Sequence, residues 1–164
     1  FKFHTMYLRP ESIRDIVDIA VNRFLKKHKN IKIEVKDFRD GIVLADKSRL
    51  SEVIYNIILN SSDAITAKGE EDEEYNGLIS ITCCKERSSY VIAIEDNGVG
   101  IEQDKYKKIF EPFYTEKNSS YNWGLGLSYV QKIVKDHYGM IRIKSKVGVG
   151  TIFYIFIPVF DHQK

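Results

Sequence analysis

The chain has 164 residues, of which 43% are hydrophobic and 29% are charged, and its formal net charge at pH 7 is +2. This length and balance are typical of one globular domain with its own core and exclude a disordered segment. The near-neutral charge disfavours a nucleic-acid partner, and no apolar run is long enough to cross a bilayer.

In chain order, hydrophobic periodicity first predicts two helices with strands between them. Apolar residues at helical spacing predict a helix over 10–29, with Pro10 near its start. The alternating run 31–35 predicts a strand, and we expect 41–45 to be its pairing partner. A second helix is predicted over 47–67, and an acidic surface loop at 69–74 is expected to end it.

The second half of the chain adds two predicted strand pairs with a long helix between them. The first strand pair is predicted at 78–83 and 90–94, and a short helix follows at 104–109. After a polar loop at 114–123, a long helix is predicted over 126–137, stopped by Gly139. The second pair, 140–145 with 151–157, is predicted to form a closing hairpin. Because strands and helices are mixed rather than strictly alternating, we predict an α+β fold. We expect a two-layer α/β sandwich with a mixed, mostly antiparallel sheet and helices on one face.

The most informative stretch is 95–101, where an apolar strand runs into Asp96 and then into Gly98 and Gly100. The glycines permit backbone angles closed to other residues and remove side chains that would keep out a flat ring. A carboxylate at the end of a rigid strand can accept a hydrogen bond from the amino group of adenine. By itself this D-x-G-x-G pattern is a weak signal, since such turns commonly join strands.

The second predicted helix carries a polar stripe. Glu52, Asn56, Asn60 and Asp63 fall within an arc of roughly 80° on one face, opposite an apolar face. Asparagines are poor helix formers, and their amide oxygens are ligands that Mg²⁺ accepts beside phosphate oxygens and water. The stripe therefore fits an exposed polar face and a metal or phosphate site about equally well.

Two further segments indicate anion binding and a lid. Gly124 and Gly126 stand in 122–128, where the chain enters the last long helix, and a helix N-terminus with free N–H groups favours an anion. No Walker lysine accompanies these glycines. The aromatic and proline-containing run 109–115 predicts a hydrophobic anchor for the polar loop, which could close over a ligand. Lys117 on that loop could reach a phosphate.

In order and spacing, these four segments resemble the N, G1, F and G2 boxes of sensor histidine kinases. The catalytic ATP-binding domain of those kinases belongs to the GHKL, or Bergerat-fold, superfamily, with type II topoisomerases, mismatch-repair ATPases and heat-shock chaperones. The boxes are 52–60, 96–101, 110–113 and 124–128, and 148–151 resembles a further glycine–threonine element. The resemblance implies that the chain binds Mg-ATP and transfers its γ-phosphate to a histidine on a separate dimerisation domain.

The resemblance also implies a role for each matching residue. Asp96 would accept from the adenine amino group, with Thr151 near it, and Asn60 would hold Mg²⁺ with Asn56 beside the phosphates. The other implied contacts are Gly98, Gly100 and Ile101 around adenine, Gly124, Leu125, Gly126 and Leu127 around the phosphates, and Phe113 and Lys117 on the lid. Asp63 stands where many of these kinases have a basic residue, so we expect it to organise Mg²⁺-bound waters or Asn60. Trp123 is a second departure, beside the G2 glycines.

Asn56 and Asn60 are the expected catalytic residues, through positioning rather than proton transfer. The hydrolytic relatives in the superfamily carry a glutamate as general base where this chain has Asn56, which cannot take a proton. We therefore expect ATP to be held intact until another nucleophile arrives. None of the four histidines resembles a phosphoacceptor motif, and each is expected at the surface: His4, His28, His137 and His162.

The remaining expectations concern the parent protein. Because the chain begins with Phe1, we predict that residues 1–164 are a single domain of a longer sensor kinase, with the dimerisation domain preceding it and a response-regulator receiver domain as partner. The adjacent Cys83 and Cys84 are typical of reduced thiols in the cytoplasm, so any membrane anchor would belong to the rest of the parent protein. Two alternatives are a serine protein kinase of the anti-sigma-factor type and an ATP-binding regulatory module without catalysis.

Overall fold

The structure, a computed structural model, describes residues 5–112, 114 and 126–161. Strands and helices alternate irregularly along the described residues. In chain order they are β1 (Arg9–Ser12), α1 (Ile13–Lys27), β2 (Lys32–Phe38), β3 (Ile42–Ala45), α2 (Lys47–Glu71), β4 (Leu78–Glu86), β5 (Ser89–Asp96), 3₁₀ turns at Gln103–Lys105 and Lys108–Phe110, α3 (Gly126–Asp136), β6 (Met140–Lys146) and β7 (Gly150–Pro158).

The main sheet has the strand order β2-β4-β5-β7-β6 and is antiparallel except for the parallel pair β2 and β4. Side chains alternate along β5, so that Ile92 and Ile94 are fully buried while Glu95 is exposed. The buried residues of the sheet form one core with those of α1, α2 and α3. This confirms the predicted α+β sandwich with its mostly antiparallel sheet.

The central helix α2 positions the polar stripe. Asp46 caps its start, because the Asp46 carboxylate accepts from the Arg49 N–H at 3.1 Å. Val53, Ile54, Ile57 and Ile58 are fully buried in the core, which stabilises the fold by roughly 1.5–3 kcal/mol each. The helix ends at Glu71 rather than at 67, because glutamates continue a helix readily and the acidic segment begins inside it.

Two predictions for the first fifty residues are wrong. Pro10 lies in β1 and not in a helix, and α1 begins after Ser12, whose hydroxyl accepts from the Asp15 N–H at 3.2 Å. Strand β3 pairs antiparallel with β1, whereas β2 pairs with β4. A proline is tolerated in a short edge strand such as β1, since it has no N–H to donate.

The C-terminal end of α3 differs in detail from the prediction. The residue with positive φ is Tyr138, at φ 60, while Gly139 donates to the Val134 carbonyl at 3.0 Å. Gly139 is required for another reason, since a Cβ there would overlap the carbonyl oxygen of Phe156. The predicted short helix at 104–109 is replaced by the two 3₁₀ turns, whereas the closing hairpin of β6 and β7 is confirmed.

Cys83 is buried and Cys84 is exposed, and both are free thiols, as predicted. Burial raises the pKa of the Cys83 thiol to about 12, so this group is an inert part of the core. Among the described helices, none has the length and apolar character needed to cross a bilayer.

Candidate functional site

Asp96 ends β5 as a buried carboxylate. It is 4% exposed, pairs across the sheet with Thr151, and accepts through Oδ1 from the Gly98 N–H at 2.9 Å. Burial raises the pKa of Asp96 to about 6, although the Gly98 N–H, the Ser61 hydroxyl and the Thr151 backbone act in the opposite direction. Oδ1 is thus engaged by the protein, and a carboxylate has acceptor sites beyond this one for a ligand.

Ser61 adds a polar group beside this carboxylate that the sequence prediction missed. The residue is 1% exposed, and its hydroxyl has no partner of good hydrogen-bond geometry among the described residues, although it is near enough to lower the pKa of Asp96. Buried hydroxyls are nearly always paired, so an unpaired one next to Asp96 indicates room for a ligand atom or a water molecule.

The two glycines of the turn bring it against neighbouring elements. A Cβ on Gly98 would lie 2.6 Å from the Ala64 carbonyl carbon of α2, and one on Gly100, at φ +78, would overlap the Lys146 carbonyl. The Val99 N–H donates to the Ala64 carbonyl oxygen at 3.3 Å. The space that these glycines open is therefore filled by protein atoms. Gly98 lets the turn pack against α2, and Gly100 lets it pack against the end of β6.

A short hydroxyl network fixes the opposite side of the turn. Ser145 Oγ lies 2.7 Å from Thr151 Oγ1, accepts from the Ile101 N–H at 2.8 Å, and donates to the Gly150 carbonyl at 2.8 Å. Thr151 is 3% exposed. Ser145, which the prediction did not include, thus links Ile101 to Thr151, the residue that pairs with Asp96.

The predicted stripe on α2 opens into a cavity of about 710 Å³. Asn60 Nδ2 donates to the backbone carbonyl of Asn56 at 2.8 Å. This leaves the side-chain oxygen of Asn60 as the atom able to bind a cation. The described residues around the cavity come from three helices and from the turn between α1 and β2. They are Lys27, His28, Lys29, Asn30, Ile31, Glu52, Tyr55, Asn56, Leu59, Asn60, Ser62, Asp63, Thr66, Gly126 and Tyr129.

The donors around this cavity fit Mg²⁺ held together with phosphate. Within the described part of the chain, no group of three or more His, Cys, Asp or Glu side chains could hold a metal ion by itself. A cation at Asn60 would therefore take most of its ligands from water and phosphate oxygens. Mg²⁺ is commonly bound in this way, because it keeps several waters and demands oxygen ligands.

Helix α3 begins at Gly126, at the edge of the same cavity. Tyr129 ties it to α2, because its hydroxyl accepts from Arg49 at 3.4 Å and donates to Glu52 at 3.2 Å. Leu127 packs against the core. The other predicted contacts of the lid and the phosphate loop lie outside the described residues: Phe113, Lys117, Trp123, Gly124 and Leu125.

One of the histidine predictions is wrong. His137 is 2% exposed, accepts through Nε2 from the Asp46 N–H at 3.0 Å, and hydrogen-bonds through Nδ1 to the Ile133 carbonyl at 2.8 Å. His28 is half-buried and stacks on Phe24 at 4.5 Å between ring centroids. His4 and His162 lie outside the described residues.

Comparisons with known proteins agree with this geometry. The model of a family described as "Histidine kinase-, DNA gyrase B-, and HSP90-like ATPase" matches residues 45–161. The sensor kinase CckA of Brucella abortus is 34% identical over 96% of this chain and 18% of its own length. The sensor protein RprX of Bacteroides fragilis is 28% identical over 97% of this chain and 31% of its own length. The chain thus spans less than a third of either relative.

Among solved structures, the nucleotide-free catalytic domain of the histidine kinase ThkA superposes with a TM-score of 0.73 at 30% identity. The match covers 93% of this chain and 95% of that domain. The described fold is therefore that of a domain solved as a separate unit.

Proposed function

Because the chain belongs to the family of histidine kinase-, DNA gyrase B- and HSP90-like ATPases, we propose that it is the catalytic domain of a two-component sensor histidine kinase. It binds Mg-ATP and donates the γ-phosphate to a histidine on a separate dimerisation domain. The two relatives are named as a sensor protein and a sensor kinase, and the matching family is one of ATPases.

The observation that carries the proposal is the junction between Asp96 and α2. The turn that follows Asp96 packs through Gly98 and Val99 against Ala64, one helical turn beyond Asn60. A buried acceptor and a row of amide side chains are therefore held at fixed separation by one rigid contact. A nucleotide with adenine at Asp96 and phosphates along α2 matches that arrangement.

In the proposed reaction, the residues of this chain bind and orient rather than exchange protons. Asp96 Oδ2 accepts from the adenine amino group, and Asn56 and Asn60 face the triphosphate. Mg²⁺, when bound, neutralises charge on the phosphate oxygens. The acceptor imidazole nitrogen attacks the γ-phosphorus, the bond to the β,γ-bridging oxygen breaks, and ADP leaves with that electron pair.

The absence of a base at Asn56 supports transfer over hydrolysis. An amide cannot remove a proton from water, whereas a neutral imidazole nitrogen attacks without needing a base. The phosphohistidine then donates to an aspartate of a response-regulator receiver domain, and the domain works in the cytoplasm. These partners belong to the proposal, along with any membrane anchor elsewhere in the parent protein.

The role of Asn60 is tested by ATP affinity with and without Mg²⁺. We expect Asn60→Ala to weaken Mg-ATP binding about tenfold, about 1.4 kcal/mol, and to leave binding in EDTA unchanged. Asn22→Ala on the exposed face of α1 is the matched control. Equal losses with and without Mg²⁺ would remove Asn60 from the metal site.

Catalysis is tested by adding the parent protein's own histidine-bearing domain to the chain with γ-labelled ATP. The expected product is acid-labile phosphohistidine, with negligible ATP hydrolysis by the chain alone. Acid-stable phosphoserine on an added substrate, or brisk steady hydrolysis, would contradict the proposed reaction.

A further inference from the structure

Two lysines line the cavity together with the two asparagines. Lys27 ends α1 and Lys29 follows it in the turn to β2, and both line the cavity that Asn56 and Asn60 line from α2. Both side chains are exposed, and within the described part of the chain neither ammonium group has an ion-pair partner. The two charges are therefore available to an anionic ligand.

The charge balance of the cavity gives these lysines a specific effect. Among the described residues that line the cavity, Glu52 and Asp63 carry carboxylates, and Lys27 and Lys29 carry ammonium groups. Carboxylates near a polyanion oppose its binding, whereas ammonium groups favour it. The N-terminus of α3 at Gly126 adds a favourable partial positive charge to that of the two lysines.

We propose that Lys27 and Lys29 form a phosphate-binding rim that makes the cavity selective for nucleoside triphosphates over monophosphates. This inference rests on the proposed function and names a contact on α1 and the following turn, far along the chain from the glycine segments. The rim acts on the β- and γ-phosphates, because the adenine end is held at Asp96 on β5. Exposed ammonium groups exert this effect mainly through long-range attraction, which salt weakens.

The inference predicts an effect that grows with the number of phosphates. Removing both charges with Lys27→Gln and Lys29→Gln should weaken ATP binding about tenfold and change AMP binding less than twofold. The ATP affinity of the wild type should fall more steeply with salt than that of the double variant. Lys27→Arg with Lys29→Arg keeps both charges and should bind ATP within about twofold of the wild type.

Lys26→Gln is the matched control. Lys26 is exposed in the same last turn of α1 but does not line the cavity. Its substitution removes the same charge near the same helix end, so a general effect of charge or helix stability would appear in both variants. We expect Lys26→Gln to bind ATP and AMP as the wild type does.

The experiment measures AMP, ADP and ATP affinities of the 164-residue chain, with thermal unfolding as a check of folding. The inference is overturned if the double variant binds ATP like the wild type, if AMP and ATP affinities fall together, or if Lys26→Gln has the same effect. A wild-type chain that does not bind ATP would instead overturn the proposed function. If the wild type binds ATP and the double variant prefers ATP over AMP to the same extent, only the role of the two lysines would be overturned.

Discussion

The imidazole of His137 accepts a hydrogen bond from the backbone N–H of Asp46 at 3.0 Å, and so joins the end of α3 to the cap of α2. The other ring nitrogen faces the Ile133 carbonyl at 2.8 Å, which places the imidazole proton on Nδ1. Helix α2 carries the asparagines, and α3 begins at the cavity edge. One buried side chain thus links the two helices that bound the proposed phosphate site.

Substitution of His137 by Phe should destabilise the fold by about 1–3 kcal/mol. Phe keeps a ring of similar size but leaves the Asp46 N–H without an acceptor, and a buried unpaired donor costs about that amount. Urea denaturation measures the difference. His28→Phe is the control, because His28 only stacks on Phe24 through its ring. Equal stability of His137→Phe and the wild type would show that the bond contributes nothing.

Tyr138→Gly should raise stability by about 1 kcal/mol. Tyr138 is 80% exposed and has φ 60, so its ring adds little packing while its Cβ opposes the left-handed backbone that closes α3. Tyr138→Ala retains the Cβ and should give no gain. Thermal unfolding of the two variants compares them directly, and a stabilisation by Ala equal to that by Gly would contradict the backbone explanation.

Asp96 should make the stability of the unliganded domain fall as pH rises from about 4 to 6. Its pKa is about 6 in the folded protein and about 3.8 in an unfolded chain, so the folded state binds more protons across this window. The loss amounts to about 3 kcal/mol at most. Chemical denaturation at several pH values measures it.

Asp96→Asn provides the reference for that measurement, because it has no proton to gain in this range. The difference between wild type and variant isolates this one group from the other carboxylates. If the difference in unfolding free energy between the two proteins is constant from pH 4 to pH 7, burial does not raise the pKa of Asp96 as described.

Ser61→Ala should lower ATP affinity about three- to tenfold with little effect on the stability of the unliganded domain. The Ser61 hydroxyl is buried and has no partner of good hydrogen-bond geometry among the described residues, so its removal costs the unliganded protein only its weak interaction with Asp96. Ser51→Ala is the control on the same helix, since the Ser51 hydroxyl donates to the Ser48 carbonyl at 2.9 Å. Calorimetric titration with ATP separates the two variants. Unchanged affinity in Ser61→Ala would show that the hydroxyl faces no ligand.

Local patterns in the sequence predicted most elements of the fold but not all of their partners. The alternating runs of β4 and β5 and the apolar face of α2 are set by residues next to one another in the chain, and the structure confirms them. The pairing of β3 depends on β1, whose four residues include a proline and two charges and carry no strand signal. Such a strand exists only because the rest of the fold places it beside its partner.

In the candidate site, too, the sequence indicated residues that belong to local patterns and missed those brought together by the fold. Asp96, Asn56 and Asn60 were identified because a strand end, a glycine turn and a helical stripe are local patterns. Lys27 and Lys29 were not, because a lysine-rich helix end is normally a solvated surface and only the packing of α1 on α2 brings it to the cavity. His137 was expected at the surface, because nothing near it in the chain predicts its bond to Asp46.

That residues 1–164 form a single domain stays a prediction.

The central claim is that Asp96 selects adenine at this site. Because the Gly98 N–H donates to Oδ1, we expect Asp96→Asn to keep its oxygen at that position and to present its NH₂ group to the base. That donor opposes the adenine amino group but matches the O6 acceptor of guanine.

The most direct measurement is therefore the affinity of wild type and Asp96→Asn for ATP and for GTP, with Mg²⁺ present. We predict that the substitution weakens ATP binding about 100-fold, about 2.7 kcal/mol, and shifts the preference toward GTP. Unchanged ATP affinity, or an equal loss for both nucleotides in a folded variant, would contradict the assignment of Asp96 to the adenine ring.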